Sequence, residues 1–244
     1  MTDNNQNSVV AVSKSILITS GALAISAGFM FLFDHVVTGY TQTLSFGDLI
    51  LLLRAITELG HGITILILFL VLLVFYEEYR TGVTGLISMA LVGVVSGILK
   101  LAFARVRPYG GELSFPSGHT ATAFAAAVIF ANRFPRFKYL FYFLAACVGV
   151  SRVLLDKHFP SDVLAGAAIG LMGGEVSVMV SSKLPNVGEQ RWLNKAAFSL
   201  LIILSVYAVL GSDVPKYLVA NIGPAMLLVL ARRAAVIRDS SEKL

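Results

Sequence analysis

A series of apolar runs, most close to twenty residues and separated by short polar turns, restricts this chain more than any other feature. A bilayer core about 30 Å thick is crossed by about 20 mostly apolar helical residues. Such runs lie at about 15–34, 61–77, 82–104, 138–155, 161–182, 196–211 and 215–231. An eighth, at about 117–132, is shorter, and without it the flanking segments would end on the wrong sides. Only 14% of the residues are charged, against about 25% in soluble domains, and the mean hydropathy is +0.81. The expected fold is an all-α, polytopic membrane helical bundle. Six spans over 15–182 form its core, and 183–244 add a two-span helical hairpin and a basic tail.

Residues 1–14 are polar and asparagine-rich, and are expected to form a disordered cytoplasmic tail. No small-residue cleavage site follows the run at 15–33, so it reads as a retained span rather than a signal peptide. The segment 40–60 mixes Asp48, Arg54 and Glu58 with leucines. It reads as an interfacial helix or as a helical lead-in to the second span.

The net charge of +5 would suggest nucleic acid in a soluble protein. Here basic residues collect in loops facing the anionic cytoplasmic leaflet, and no basic run with interleaved aromatics points to nucleic acid. With both termini inside, twelve of the nineteen Lys and Arg residues fall on the cytoplasmic side. Seven fall outside: Arg54, Lys100, Arg105, Arg107, Arg152, Lys157 and Lys216. The single cysteine, Cys147, lies in an apolar run and reads as a small core residue.

Three polar clusters lie at helix ends on the outer side. The first runs from Lys100 to Arg107-Pro108. The second is Pro116-Ser117-Gly118-His119. The third runs from Ser151-Arg152 through His158 to Asp162. Charges at membrane depth are costly and mark function, and three cations, two histidines and an acid at one face describe an anion site with acid–base equipment. Lys100 and Arg107, seven residues apart, would share a helix face within about 20°, with Pro108 ending that helix. Arg152 offers a planar fork for phosphate oxygens. Ser117-Gly118-His119 opens a helix whose free N–H groups favour an anion, and His119 there can protonate a leaving oxygen. If Pro160 starts the next helix, Asp162 lies in its first turn and can reach back to His158. One imidazole nitrogen would then be held and the other left free to attack phosphorus.

The pattern K-x-x-x-x-x-x-R-P, P-S-G-H and S-R-x-x-x-x-x-H-x-x-x-D, spanning Lys100 to Asp162, resembles the three-part signature of the type 2 phosphatidic acid phosphatase family at every position. The resemblance implies that His158 is the nucleophile and forms a phosphohistidine, Asp162 orients it, and His119 protonates the leaving alcohol. It implies that Lys100, Arg107, Arg152, Ser117 and the Gly118 amide hold the phosphate, with no metal and no cofactor. Thr57-Glu58-Leu59-Gly60 also resembles a family feature at the second span. The implied activity is metal-independent hydrolysis of a lipid phosphomonoester or pyrophosphate at the outer face of a bacterial plasma membrane. Candidate substrates are phosphatidic acid, phosphatidylglycerol phosphate, undecaprenyl pyrophosphate and lipid A phosphate. Two rival readings stay open: a phosphotransferase using the same histidine, and a non-catalytic lipid-binding or transport protein. The similar site of vanadium haloperoxidases belongs to soluble proteins, which this composition excludes.

Other polar residues have plainer expectations. Arg54, Lys157 and Lys216 read as interface anchors, and Arg105 is ambiguous between anchor and site. Asp156 is a weak rival to Asp162, since a residue two before His158 does not share its helix face. His61 and His35 read as packing residues. Glu175, deep in the sixth span, is expected to hydrogen-bond a neighbouring helix. The small residues of 165–170 read as close helix packing.

Overall fold

In hydrocarbon a backbone has no water to bond, so apolar runs close their hydrogen bonds internally as helices. A computed structural model of the chain describes residues 3–75 and 78–184, with only 196 and 199 beyond them. Among the described residues the α-helices are α1 (Asp3–Met30), α2 (Asp34–Gln42), α3 (Leu49–Glu58), α4 (Gly62–Phe75), α5 (Tyr79–Phe103), α6 (Gly118–Arg133), α7 (Lys138–Leu154) and α8 (Pro160–Lys183). A short 3-10 turn, Pro135–Phe137, leads into α7. The only extended pairing there is a single bridge between Val106 and Leu113. The spans expected at 196–211 and 215–231 lie outside the described residues, apart from the helical 196 and 199.

The first two apolar runs are bent rather than straight. Lys14–Met30 and α2 meet at 76°, and α3 meets the span formed by α4 at 52°. Within the segment at 40–60, residues 40–42 end α2, and α3 leads through that bend into α4. The helix α1 extends back to Asp3, where a disordered tail had been expected. No proline or glycine interrupts residues 3–20, so a helix nucleated in the apolar run can extend backward, gaining one bond per residue.

By length and apolarity α5, the unit Pro135–Leu154 and α8 each suffice to cross a membrane, and each bent pair does so when taken together. The helix α6 has only 16 residues. It lies at the centre of the bundle, packed by α4, α5, α7 and α8. Its buried face, from Thr120 through Ile129, is mostly alanine, as suits a helix that other helices approach on several sides.

The closest of those approaches fixes the site. Gly166, Gly170 and Gly174 recur every fourth residue, so they form one stripe along α8. A Cβ at these positions would be driven into the backbone carbonyls of Ser117, Ala121 and Ala125 of α6. The stripe therefore lets the two backbones touch and sets their register, so that Ser117 N–H donates to the carbonyl of Asp162 at 3.0 Å. At the opposite end, Thr84 Oγ1 donates to Ser181 Oγ at 2.7 Å, and Arg133 Nε to Glu78 at 2.8 Å.

Gly170→Ala should therefore destabilise the fold by about 1–3 kcal/mol through overpacking. Gly97→Ala in α5, where a Cβ meets nothing within 4 Å, should be neutral or mildly stabilising. Thermal unfolding in detergent distinguishes the two, and equal midpoints would contradict the packing account.

Candidate active site

Four chain breaks meet at one end of the bundle. They are the corner between α1 and α2, the break between α3 and α4, the loop 104–117, and the turn 155–159 ahead of α8. Each brings polar groups that a continuous span could not place there.

The helix α8 starts at Pro160, with Asp162 in its first turn. Phe159 N–H donates to Asp162 Oδ2 at 2.9 Å. His158 is pinned by its backbone, its N–H reaching the Arg152 carbonyl at 3.2 Å. Its Nδ1 lies 3.6 Å from Asp162 Oδ2 and 3.4 Å from Ser114 Oγ, and Ser114 itself donates to Asp162 Oδ2. The Ser114 hydroxyl thus touches both imidazole and carboxylate. With Nδ1 on that side, Nε2 is the nitrogen left over. His158 is 2% exposed and Asp162 and Ser114 are fully buried. Burial pushes the His158 imidazole down to about 4; the nearby Asp162 carboxylate opposes this, and Arg152 and Arg107 add to it. At neutral pH the ring is therefore uncharged and carries a free lone pair.

Lys100, in the last turn of α5, donates from Nζ to the Leu113 carbonyl at 2.9 Å. Arg107 does not share its helix face. The helix ends at Phe103, with Ala104 in the left-handed conformation (φ 45°) and its N–H closing on Lys100 O. Arg107 lies instead on the following loop, joined to Glu112 by a 2.7 Å ion pair. The Glu112 side chain is 77% exposed, and an ion pair that open to solvent is weak enough for a phosphate to displace. Arg152 is buried, and its Nη1 donates to Thr57 Oγ1 at 2.9 Å while its Nε has no partner among the described residues.

Ser117 is the N-cap of α6, and its Oγ is 2.9 Å from Thr120 Oγ1. A Cβ on Gly118 would point into open space. The first-turn amides of a helix have no partner within the helix, so those at Gly118 and His119 are available to an anion. The ionisable groups facing His119 are Arg152, His61, His158 and Arg107. The structure thus gathers Lys100, Arg107, Ser117, Gly118, His119, Arg152, His158 and Asp162 at one end of the bundle.

The short Thr57-Glu58-Leu59-Gly60 feature also belongs here. Thr57 holds Arg152, and the bare Gly60 backbone lies against the His119 carbonyl. His61 does border the site, its ring edge-on to His119 at 5.3 Å. Asp156 turns away in a left-handed conformation (φ 54°) toward Gln42. Lys157 lies over the Tyr109 ring at 5.3 Å. Glu175 is buried in α8, and its Oε2 makes no hydrogen bond among the described residues, so the expected bond to a neighbouring helix is not formed at that oxygen.

Sequence reasoning missed Ser114 and Asp34 and left Arg105 undecided. The signal for Asp34 was available: an acid at the end of an apolar run marks function by default. Ser114 carried none, because its role depends on the loop folding back over α8.

A sequence model described as the PAP2 superfamily matches residues 81–184. The chain is 41% identical over 104 residues to a lipid A 1-phosphatase of Porphyromonas gingivalis, covering 41% of this chain and 23% of that protein. It is 30% identical over 140 residues to phosphatidylglycerophosphatase B of Bacillus subtilis, covering 49% of this chain and 69% of that protein. The crystal structure of Aquifex aeolicus LpxE is similar, with a TM-score of 0.54, 25% identity, and coverage of 60% of this chain and 95% of that one. The chain spans less than half the length of the lipid A 1-phosphatases it matches.

The depressed basicity of His158 can be measured directly. Histidine-selective NMR titration in micelles should show the four imidazoles, with that of His158 half-protonated near pH 4. A midpoint of 6–7 for His158 would contradict the buried, neutral ring.

Proposed function

The chain belongs to the PAP2 superfamily, and we propose that it is a membrane phosphatase hydrolysing a lipid phosphomonoester or pyrophosphate through a phosphohistidine on His158. The observation that carries this reading is the buried imidazole with Nδ1 toward Ser114 and Asp162, gathered at one end of the bundle with Lys100, Arg107 and Arg152. Relatives named for lipid A, undecaprenyl diphosphate and phosphatidylglycerophosphate support a lipid substrate.

Lys100, Arg107 and Arg152 would bind the phosphate oxygens, together with Ser117 and the α6 amides. Nε2 of His158 attacks phosphorus, forming the P–N bond as the P–O bond to the lipid breaks. His119, taking up a proton once the phosphate anion is bound beside it, gives that proton to the departing lipid oxygen. Asp162 stabilises the positive charge that the bonded imidazole acquires. Water then attacks phosphorus, the P–N bond breaks back to His158, and the water proton passes to His119. Bias in Lys and Arg supports both termini in the cytoplasm and the site at the outer face of a bacterial plasma membrane. A head group can enter there from the side while its chains stay in the bilayer.

Purified protein should release free phosphate from one or more of lipid A phosphate, undecaprenyl pyrophosphate, phosphatidylglycerol phosphate and phosphatidic acid. His158→Ala should lower that rate by at least about a thousandfold. Full activity in that variant would sink the mechanism, and transfer of label to a second lipid without free phosphate would identify a phosphotransferase. Vanadate, as a trigonal-bipyramidal mimic, should inhibit. EDTA should leave the rate unchanged, and inhibition by EDTA would mean that a metal takes part.

A further inference from the structure

Five cations sit near this end of the bundle, and one of them is turned away from the phosphate side. Arg105 Nη2 donates to Asp34 Oδ2 at 2.8 Å, while Nη1 donates to Asp162 Oδ1 at 2.9 Å and to Ser161 Oγ at 2.8 Å. The guanidinium carbon also lies over the Phe159 ring, 3.8 Å from its centroid, and over the Phe31 ring at 4.6 Å. Three of its five N–H donors are thus engaged by Asp34, Asp162 and Ser161, which commits its fork to the carboxylates rather than to a phosphate.

Asp34 completes the arrangement from the start of α2. Its Oδ1 accepts Ser161 N–H at 2.9 Å, and its Oδ2 accepts both the Ser161 hydroxyl and Arg105. Neither Asp34 nor Asp162 has any exposed surface. Two buried carboxylates therefore share one guanidinium, leaving a net charge of −1. Asp34 offsets the charge of Arg105. The charge of Asp162 is then free for His158, 3.6 Å away, when the imidazole becomes cationic on bonding phosphorus. Arg105 also holds Oδ1 of Asp162, which fixes Oδ2 toward Ser114, Phe159 N–H and His158.

We propose that Asp34 and Arg105 are positioning residues for the reaction, acting as a charge-compensated clamp on Asp162. The proposal rests on the reading of His158 and Asp162 as the reacting pair. Without Asp34, Arg105 would neutralise Asp162 and weaken its support for the phosphorylated imidazole. Without Arg105, two like charges would face each other with no cation between them, and Oδ1 of Asp162 would lose its donor. Removing both eliminates the compensating charges as a pair.

A double-mutant cycle on the full-length protein tests this. Asp34→Asn and Arg105→Gln should each lower kcat by about tenfold or more, with KM within about twofold of wild type because the groups that hold the phosphate are untouched, and with vanadate inhibition weakened in step with kcat. The double variant should turn over faster than either single variant. Wild-type kcat in Asp34→Asn would overturn the proposal, as would a double variant that is not faster than both single variants. Should Arg105→Gln fail to fold, Asp34→Asn is compared with the double variant alone, and a double variant no faster than Asp34→Asn overturns the proposal. His158→Ala in the same assay separates the two levels. If it is inactive while the cycle fails, only the clamp is refuted; if it is active, the underlying reading is refuted.

Discussion

A carboxylate with no exposed surface must be surrounded by donors or lose its charge, and in this protein the carboxylate of Asp162 meets that requirement with groups from distant parts of the chain. The Phe159 amide comes from its own helix cap, Ser114 from the loop after α5, and Arg105 from the start of that loop. Through Arg105 and Ser161 the same centre reaches Asp34 at the corner after α1. The loop 104–117, the N-terminus of α8 and the α1–α2 corner are thus tied to one buried anion. The imidazole of His158 lies against that anion and is otherwise sealed from water, which keeps it neutral.

The second constraint is steric. Helices in lipid gain little from burying apolar surface against each other, so close backbone approach has to do the holding. The glycine stripe of α8 provides that approach against α6. Because Gly166 faces the Ser117 carbonyl, one of these close contacts lies a turn from Asp162 and next to the α6 amides. Packing and proposed chemistry therefore share a register. The cations at this end of the bundle also divide by task. Lys100, Arg107 and Arg152 gather at the proposed phosphate site, Arg105 serves the carboxylates, and Lys157 lies on a tyrosine ring. A count of charges for orientation treats them all alike, although only some of them act as interface anchors.

Periodicity and run length were enough to place most of the helices, because hydrocarbon leaves an apolar run little alternative to the helix. The bends were not legible. The corner before α2 and the break before α4 fall within or beside apolar sequence, and they are set by what packs there: Gly60 against the His119 carbonyl, Thr57 on Arg152, and Asp34 on Ser161. Seven-residue spacing suggested that Lys100 and Arg107 shared a helix face. The left-handed Ala104 ends the helix first, and Arg107 reaches the site from a loop instead.

Sequence by itself determined the chemistry on offer: which ionisable residues stand at which span ends, and in what order. That follows because placing charge in a membrane is costly enough that each instance is informative. Only the tertiary structure decided how the residues pair. It brought Ser114 against both His158 and Asp162, turned Asp156 away, and joined Arg105 to two carboxylates, one of them 71 residues from it along the chain. Such pairings depend on where a loop folds back and how closely two helices approach, and no local pattern of residues encodes either.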